Sequence, residues 1–120
     1  MTPRVSIVIP VYNEGEEIIP VVSRITELVE MTNEVLIVHD TPDDTTVPVI
    51  ATLAEKLPSV RGILNTYGRG PANAIKFGID SATAPVVVVT MADGCDDPSQ
   101  IDTLARRGPF ALLVCQGGHA

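Results

Sequence analysis

The chain has no tryptophan, and only two phenylalanines and two tyrosines among its 120 residues, so its core must be aliphatic. Basic residues are also few. Lys and Arg number 8 against 15 Asp and Glu, a formal net charge of −7. With no basic stripe, binding of nucleic acid through its phosphates is not expected. An anionic ligand could still be held locally, where a cation or a helix N-terminus supplies positive charge. Cysteine is limited to Cys95 and Cys115, in separate segments and without metal-ligand spacing, which reads as free thiols in a reducing compartment. Long apolar runs are missing too. The opening "MTPRVSIVIPVYNE" holds too short a run for a signal-peptide core or a membrane span, so no transmembrane segment is expected and the cytoplasm is the default location.

The rest of the composition is that of a folded domain: 45% hydrophobic, 19% charged and free of low-complexity runs. The length predicts one domain over 1–120, able to bury roughly two-thirds of its unfolded surface. Short Val- and Ile-rich runs recur at 5–10 (VSIVIP), 34–39 (EVLIVH), 60–64 (VRGIL), 86–90 (VVVVT) and 110–115 (FALLVC). They lack polar alternation, which predicts strands covered on both faces, the habit of parallel sheets. Four helical patterns lie between them. The first, within 13–31, carries Ile18, Val21, Val22, Ile25, Leu28 and Val29 at helical spacing, with Pro20 in its first turn or at a kink. The others open at Thr45–Thr46 before Pro48, at Gly70–Pro71 and at Asp97–Pro98, where proline just inside the start is a helix-opening signal. The sum is an α/β fold: a doubly wound, mostly parallel sheet of about five strands with helices on both faces and right-handed crossovers.

In such sheets ligands bind beyond the carboxyl ends of the strands. That places weight on the loops "VYNEGEE", "HDTPDDTT", "NTYGRGPAN" and "MADGCDDPSQ", three of them acidic. Each has a plain structural reading. Asn13 with Glu16 fits a capping box, "DTPDDTT" a turn and cap, and Asp97 an N-cap before Pro98. "YGRGPANA" is glycine-rich and opens a helix, yet matches neither G-x-x-x-x-G-K-[ST] nor G-x-G-x-x-G. Together the loops say more. Asp40 ends one strand and Asp93 lies just past another, on one rim of the sheet. Carboxylates beside a phosphate ligand make sense if a hard divalent cation, Mg2+ or Mn2+, sits between them.

The series "VSIVIPVYNEGEEI", "EVLIVHDTPDDTT", "GRGPANAIKFGI" and "VVVVTMADGCDDPSQI" resembles, in order and over nearly the whole chain, the N-terminal half of a family 2 glycosyltransferase of the GT-A fold. The nearest likeness is to polyprenyl- and dolichol-phosphate sugar transferases. The resemblance implies an inverting enzyme with a UDP- or GDP-sugar donor and a lipid phosphate as candidate acceptor. Pro10, Tyr12 and Glu14 would line the nucleotide pocket, with Tyr12 near the base. Asp40 would take hydrogen bonds from base or ribose, and Gly68, Arg69 and Gly70 would flank the nucleotide. Asp93, beside Ala92, matches the second aspartate of the family's D-x-D metal motif, with Asp96 or water completing the coordination.

Met91 stands at the first D-x-D position, His39 where an acidic residue is common, and Cys95 where a small polar residue is usual. The family's catalytic unit continues into an acceptor-binding half that supplies the general base. The resemblance therefore implies a truncated domain, with little activity alone and a place for the lipid acceptor at the membrane surface. A half-domain leaves apolar surface exposed, which makes a homo-oligomer a candidate state. Two alternatives are a non-catalytic nucleotide-binding module and a phosphoacceptor receiver-like domain. The receiver needs an acidic pair after the first strand and a lysine after the fifth, whereas "VYNE" follows the first and both lysines, Lys56 and Lys76, fall in helices.

Overall fold

The computed structural model describes residues 2–92 and 98–106. The chain runs β1 (Val5–Pro10), a 3-10 turn (Gly15–Glu17), α1 (Ile18–Leu28), β2 (Asn33–His39), α2 (Val47–Lys56), β3 (Val60–Leu64), α3 (Pro71–Ser81), β4 (Val86–Val89) and α4 (Ser99–Ala105). The four strands form one sheet in the order β3-β2-β1-β4, every pair parallel. Val5 is in register with Asn33 of β2 and with Val86 of β4. The expected fifth strand, 110–115, lies outside the described residues.

Strand pleating sorts the apolar residues onto two faces. Val5, Ile7 and Ile9 of β1, Val35 and Ile37 of β2, and Val86 and Val88 of β4 pack with Ile18, Val22 and Ile25 of α1, Ile50 and Leu53 of α2, and Ile101 of α4. Val8, Leu36, Val38, Val87 and Val89 point the other way, to α3 through Ala74. Helices thus cover both faces of β1, β2 and β4, whereas the edge strand β3 leaves Arg61, Gly62 and Leu64 exposed, against the expectation of cover on both faces. Right-handed crossovers explain the split, because the connections through α1 and α2 step one way across the sheet and that through α3 steps back. Gly78 lets α3 approach β1 closely: a β-carbon there would come 2.4 Å from Cγ1 of Val8.

The helix starts follow the prolines. Pro71 is the first residue of α3, Pro48 the second of α2, and Pro20 falls in the first turn of α1. The apolar stripe of α1 is narrower than its spacing predicts, since Leu28 is 42% exposed. At the amino ends of the strands Glu34 joins three segments. Its Oε2 accepts the Ser6 hydroxyl at 2.5 Å and both the amide and the hydroxyl of Thr83 at 2.8 Å. Asp102 docks α4 in a similar way, its buried carboxylate accepting the amides of Glu30 (2.9 Å) and Met31 (3.0 Å) at the turn before β2.

Candidate functional site

Because the strands are parallel, their carboxyl ends share one rim, and the strand order reverses between β1 and β4. Ligand crevices of doubly wound sheets form at that place. Seven of the predicted site positions fall on described parts of this rim: Pro10 at the end of β1, Tyr12 and Glu14 after it, Asp40 after β2, Arg69 and Gly70 between β3 and α3, and Ala92 after β4. Pro10 and Ala92 are buried, Glu14, Asp40 and Gly70 half-buried, and Arg69 exposed. Tyr12 is 75% exposed, an aromatic face left open to solvent at the rim.

The loop after β1 is fastened to the loop after β2. Val11 continues the ladder through its amide to the carbonyl of Val38 at 2.9 Å. Asn13 then adopts a left-handed backbone, φ +50°, a conformation asparagine tolerates better than most residues. Its amide donates to Oδ2 of Asp44 (3.0 Å), and its side-chain oxygen accepts the amide of Thr45 (3.1 Å). The Thr46 hydroxyl accepts the amides of Glu14 (2.9 Å) and Gly15 (3.3 Å), while the Thr46 amide donates to Oδ1 of Asp44 (2.7 Å). Asp44 and Thr46 are 3% and 0% exposed.

The expected capping box does not form. Neither helical start here carries a side-chain cap bond, because Asn13 spends its oxygen on Thr45 rather than on its own helix. Thr46 occupies the N-cap of α2 but serves the turn after β1 instead. Burial pushes the Asp44 carboxyl up, but the amides of Asn13 and Thr46, the Thr46 hydroxyl and nearby His39 outweigh it and hold it below the ordinary value. Part of the acidity of this rim is thus internal fastening, unavailable to a ligand.

The loop after β2 is fastened in turn to the loop after β3. Asp40 accepts the side-chain amide of Asn65 on Oδ1 (2.8 Å) and the backbone amide of Gly70 on Oδ2 (3.0 Å). Asn65 also donates to the carbonyl of Gly68 (2.7 Å) and accepts the amide of Tyr67 (2.9 Å). Gly68 and Gly70 have φ of +108° and +116°, a region closed to side chains in practice, and they present Arg69 between them. Each Asp40 oxygen keeps a lone pair beyond these bonds, so its carboxylate can still accept from a ligand. Asp44 and Asn65 escaped sequence reasoning, which gives Thr46 only as a helix start. Only the local D-x-T spacing of Asp44 and Thr46 hints at an Asx-type turn.

Asp93 and Asp96, the expected metal ligands, and Asp97, the expected cap, lie outside the described residues. Among the described residues no group of three His, Cys, Asp or Glu side chains could hold a metal. Ahead of that segment, the Thr90 hydroxyl is fully buried and has no hydrogen-bond partner among the described residues. No helix among the described residues is long and apolar enough to cross a membrane.

Known proteins similar to this chain are sugar transferases. A transferase from Enterobacter sp. (strain 638), undecaprenyl-phosphate 4-deoxy-4-formamido-L-arabinose transferase, is 32% identical over 108 residues, covering 87% of this chain and 33% of its own. A dolichol-phosphate mannosyltransferase of Pyrococcus furiosus is 34% identical over 102 residues, covering 84% of this chain and 29% of its own. Among solved structures, a mannosyltransferase from Pyrobaculum calidifontis in complex with GDP-Man and Mn2+ superposes with a TM-score of 0.68 at 30% identity, over 88% of this chain and 31% of that one. The chain spans about a third of the length of these relatives. The glycosyl transferase family 2 pattern matches residues 6–107, and the chain belongs to that family.

Proposed function

We propose that the chain is the nucleotide-sugar-binding part of an inverting glycosyltransferase that moves a sugar from a UDP- or GDP-sugar to an acceptor, with polyprenyl phosphate the favoured acceptor. The observation that carries the reading is the laced rim. Asp40 is held by Asn65 and Gly70 with lone pairs to spare, while Tyr12 is open to solvent on the neighbouring loop. An acceptor-rich carboxylate and an aromatic face suit the donor edge and the flat face of a nucleobase. The solved mannosyltransferase with GDP-Man and Mn2+ supports a nucleotide-sugar ligand, and the names of the curated relatives support a lipid-phosphate acceptor met at the membrane surface.

In this reading Pro10, Tyr12 and Glu14 line the nucleotide pocket, Asp40 receives base or ribose, Arg69 and Gly70 flank the nucleotide, and Ala92 leads into Asp93. Asp93, with Asp96, would hold Mg2+ or Mn2+, whose preference for oxygen donors fits carboxylates. When bound, the ion neutralises charge on the departing nucleoside diphosphate. Residues 1–120 then form a single donor-binding domain and turn over little sugar without the acceptor-binding half.

The test is calorimetric titration of UDP and GDP, each with and without Mn2+. Metal-dependent binding of one of them is expected. If neither binds with Mn2+ present, the donor-site reading fails, and binding that ignores Mn2+ removes the role given to Asp93.

A further inference from the structure

We infer that Asp44, acting through Asn13 and Thr46, is a positioning residue for the nucleotide: it fixes the backbone that presents Tyr12 and Glu14. This rests on the reading of the rim as a nucleotide site. It adds a residue that touches no ligand.

Between the end of β1 and the first helical turn, Asn13, Glu14 and Gly15 make no ladder bonds. Their amides all end on Asp44 or Thr46: Asn13 on the Asp44 carboxylate, Glu14 and Gly15 on the Thr46 hydroxyl. Thr46 is itself oriented by its amide bond to the other Asp44 oxygen at 2.7 Å. One buried carboxylate therefore organises the whole segment. Amides bonded to a carboxylate make stronger hydrogen bonds than those bonded to neutral acceptors, and a buried donor left unpaired is costly.

The geometry also selects the conformation. Asn13 sits at φ +50°, which an unrestrained asparagine visits only part of the time. Its side chain closes the loop by accepting the Thr45 amide, next to the residue that receives its own N–H. Release of Asp44 frees Asn13 to return to ordinary φ and swings Tyr12, which is 75% exposed and has few contacts to hold it. Asp44 thus converts a flexible rim into a preorganised one, which favours affinity by lowering the ordering cost of binding.

The experiment compares Asp44→Asn, Asp44→Ala and Asn13→Gly with the unaltered chain. Asn13→Gly keeps the left-handed backbone and the bond to Asp44, so it is the variant least prone to misfold. Amide hydrogen exchange in the absence of nucleotide is read first. Faster exchange at residues 13–15 in both Asp44 variants, with protection across β2 retained, is expected; unchanged exchange there overturns the inference whether or not nucleotide binds.

Affinity for GDP and UDP with Mn2+ is read second, in a cycle with Tyr12→Ala. Asp44→Asn should weaken binding roughly tenfold or more, the worth of one charge-assisted hydrogen bond. In the Tyr12→Ala background it should weaken binding by less, because one of the two residues being positioned is gone. Additive losses would mean that Asp44 serves stability alone and would overturn the positioning role. Failure of the unaltered chain to bind either nucleotide would overturn the donor-site reading and with it the positioning of a nucleotide, while the exchange result would still decide whether Asp44 orders the loop.

Discussion

One side-chain nitrogen of Asn65 bridges two loops, donating to Oδ1 of Asp40 at 2.8 Å and to the carbonyl of Gly68 at 2.7 Å. Asn65 is 7% exposed, so water cannot readily replace it. Replacing it with leucine leaves the Gly68 carbonyl and the Tyr67 amide without this partner and frees Asp40 to rotate. Asn65→Leu is expected to lose about 1–3 kcal/mol of stability, the net worth of hydrogen bonds that include one to a carboxylate. Asn65→Asp places a carboxylate against Asp40 and should lose more at neutral pH. Urea denaturation with unchanged slope checks both, and a midpoint equal to that of the unaltered chain refutes the bridge.

Gly78 supplies the close approach of α3 to the sheet. An alanine there sets two effects against each other. Helix propensity favours it by about 1 kcal/mol, whereas overpacking a filled core costs about 1–3 kcal/mol. The clash should prevail, because a β-carbon would lie 2.4 Å from Cγ1 and 3.2 Å from Cγ2 of Val8, a fully buried, β-branched residue in a strand flanked on both sides. Gly78→Ala is expected to lower the thermal midpoint, and Val8→Ala in the same chain to restore part of it. A rise in the midpoint for Gly78→Ala alone would show that α3 stands off further than described.

The Thr90 hydroxyl is buried just past the end of β4, and nothing among the described residues meets its hydrogen-bonding capacity. Valine has nearly the same shape and no polar atom to strand. Thr90→Val is therefore expected to be neutral or to stabilise the chain by about 1 kcal/mol. A loss of comparable size in a denaturation experiment would mean that the hydroxyl has a partner.

Two carboxylates give the stability a pH dependence of known sign. Burial pushes Glu34 up, but the Ser6 hydroxyl, the Thr83 amide and hydroxyl, and the Arg61 guanidinium at 3.6 Å together hold it below its ordinary value of 4.5. Asp44 likewise lies below its ordinary 3.8. A depressed folded value means that the unfolded chain takes up protons first. The stabilisation is therefore complete above the ordinary values and disappears as pH falls through the folded ones. Denaturation midpoints should hold from neutral pH to about 5 and drop below about 4. In Glu34→Gln the neutral-pH midpoint should be lower and the acid decline shallower; an unchanged acid limb would exclude Glu34 as a contributor.

The strands were legible because Val and Ile runs without polar alternation have few other uses: 5–10 and 60–64 coincide with β1 and β3, and β2 and β4 differ from expectation by one residue at one end. The helix starts were legible through Pro48 and Pro71, which act locally. Asn13 was misread for the opposite reason. Its spacing from Glu16 is a local signal, but its partner is Thr45, thirty-two residues away and brought near only by the β1–β2 pairing. Asp44, Thr46 and Asn65 are ordinary turn residues in sequence, and only the packed sheet distinguishes them. Asp40 was identified through family resemblance, which could not reveal that both its oxygens already accept bonds from the next loop.

The register of β1 has a consequence for how the rim is assembled in time. Val5 meets Asn33 on one side after a short stretch of chain, and Val86 on the other after a much longer one. Closing the longer loop costs more chain entropy, and a nascent chain exposes β2 well before β4. The three-stranded unit carrying Tyr12, Asp44, Asp40 and Asn65 can therefore form first, with β4 and the residues after it added to a finished edge. The part of the rim carried by β1, β2 and β3 is built from early-synthesised chain and the part carried by β4 from late, so substitutions in β4 should spare the former far more than substitutions in β2 spare the latter.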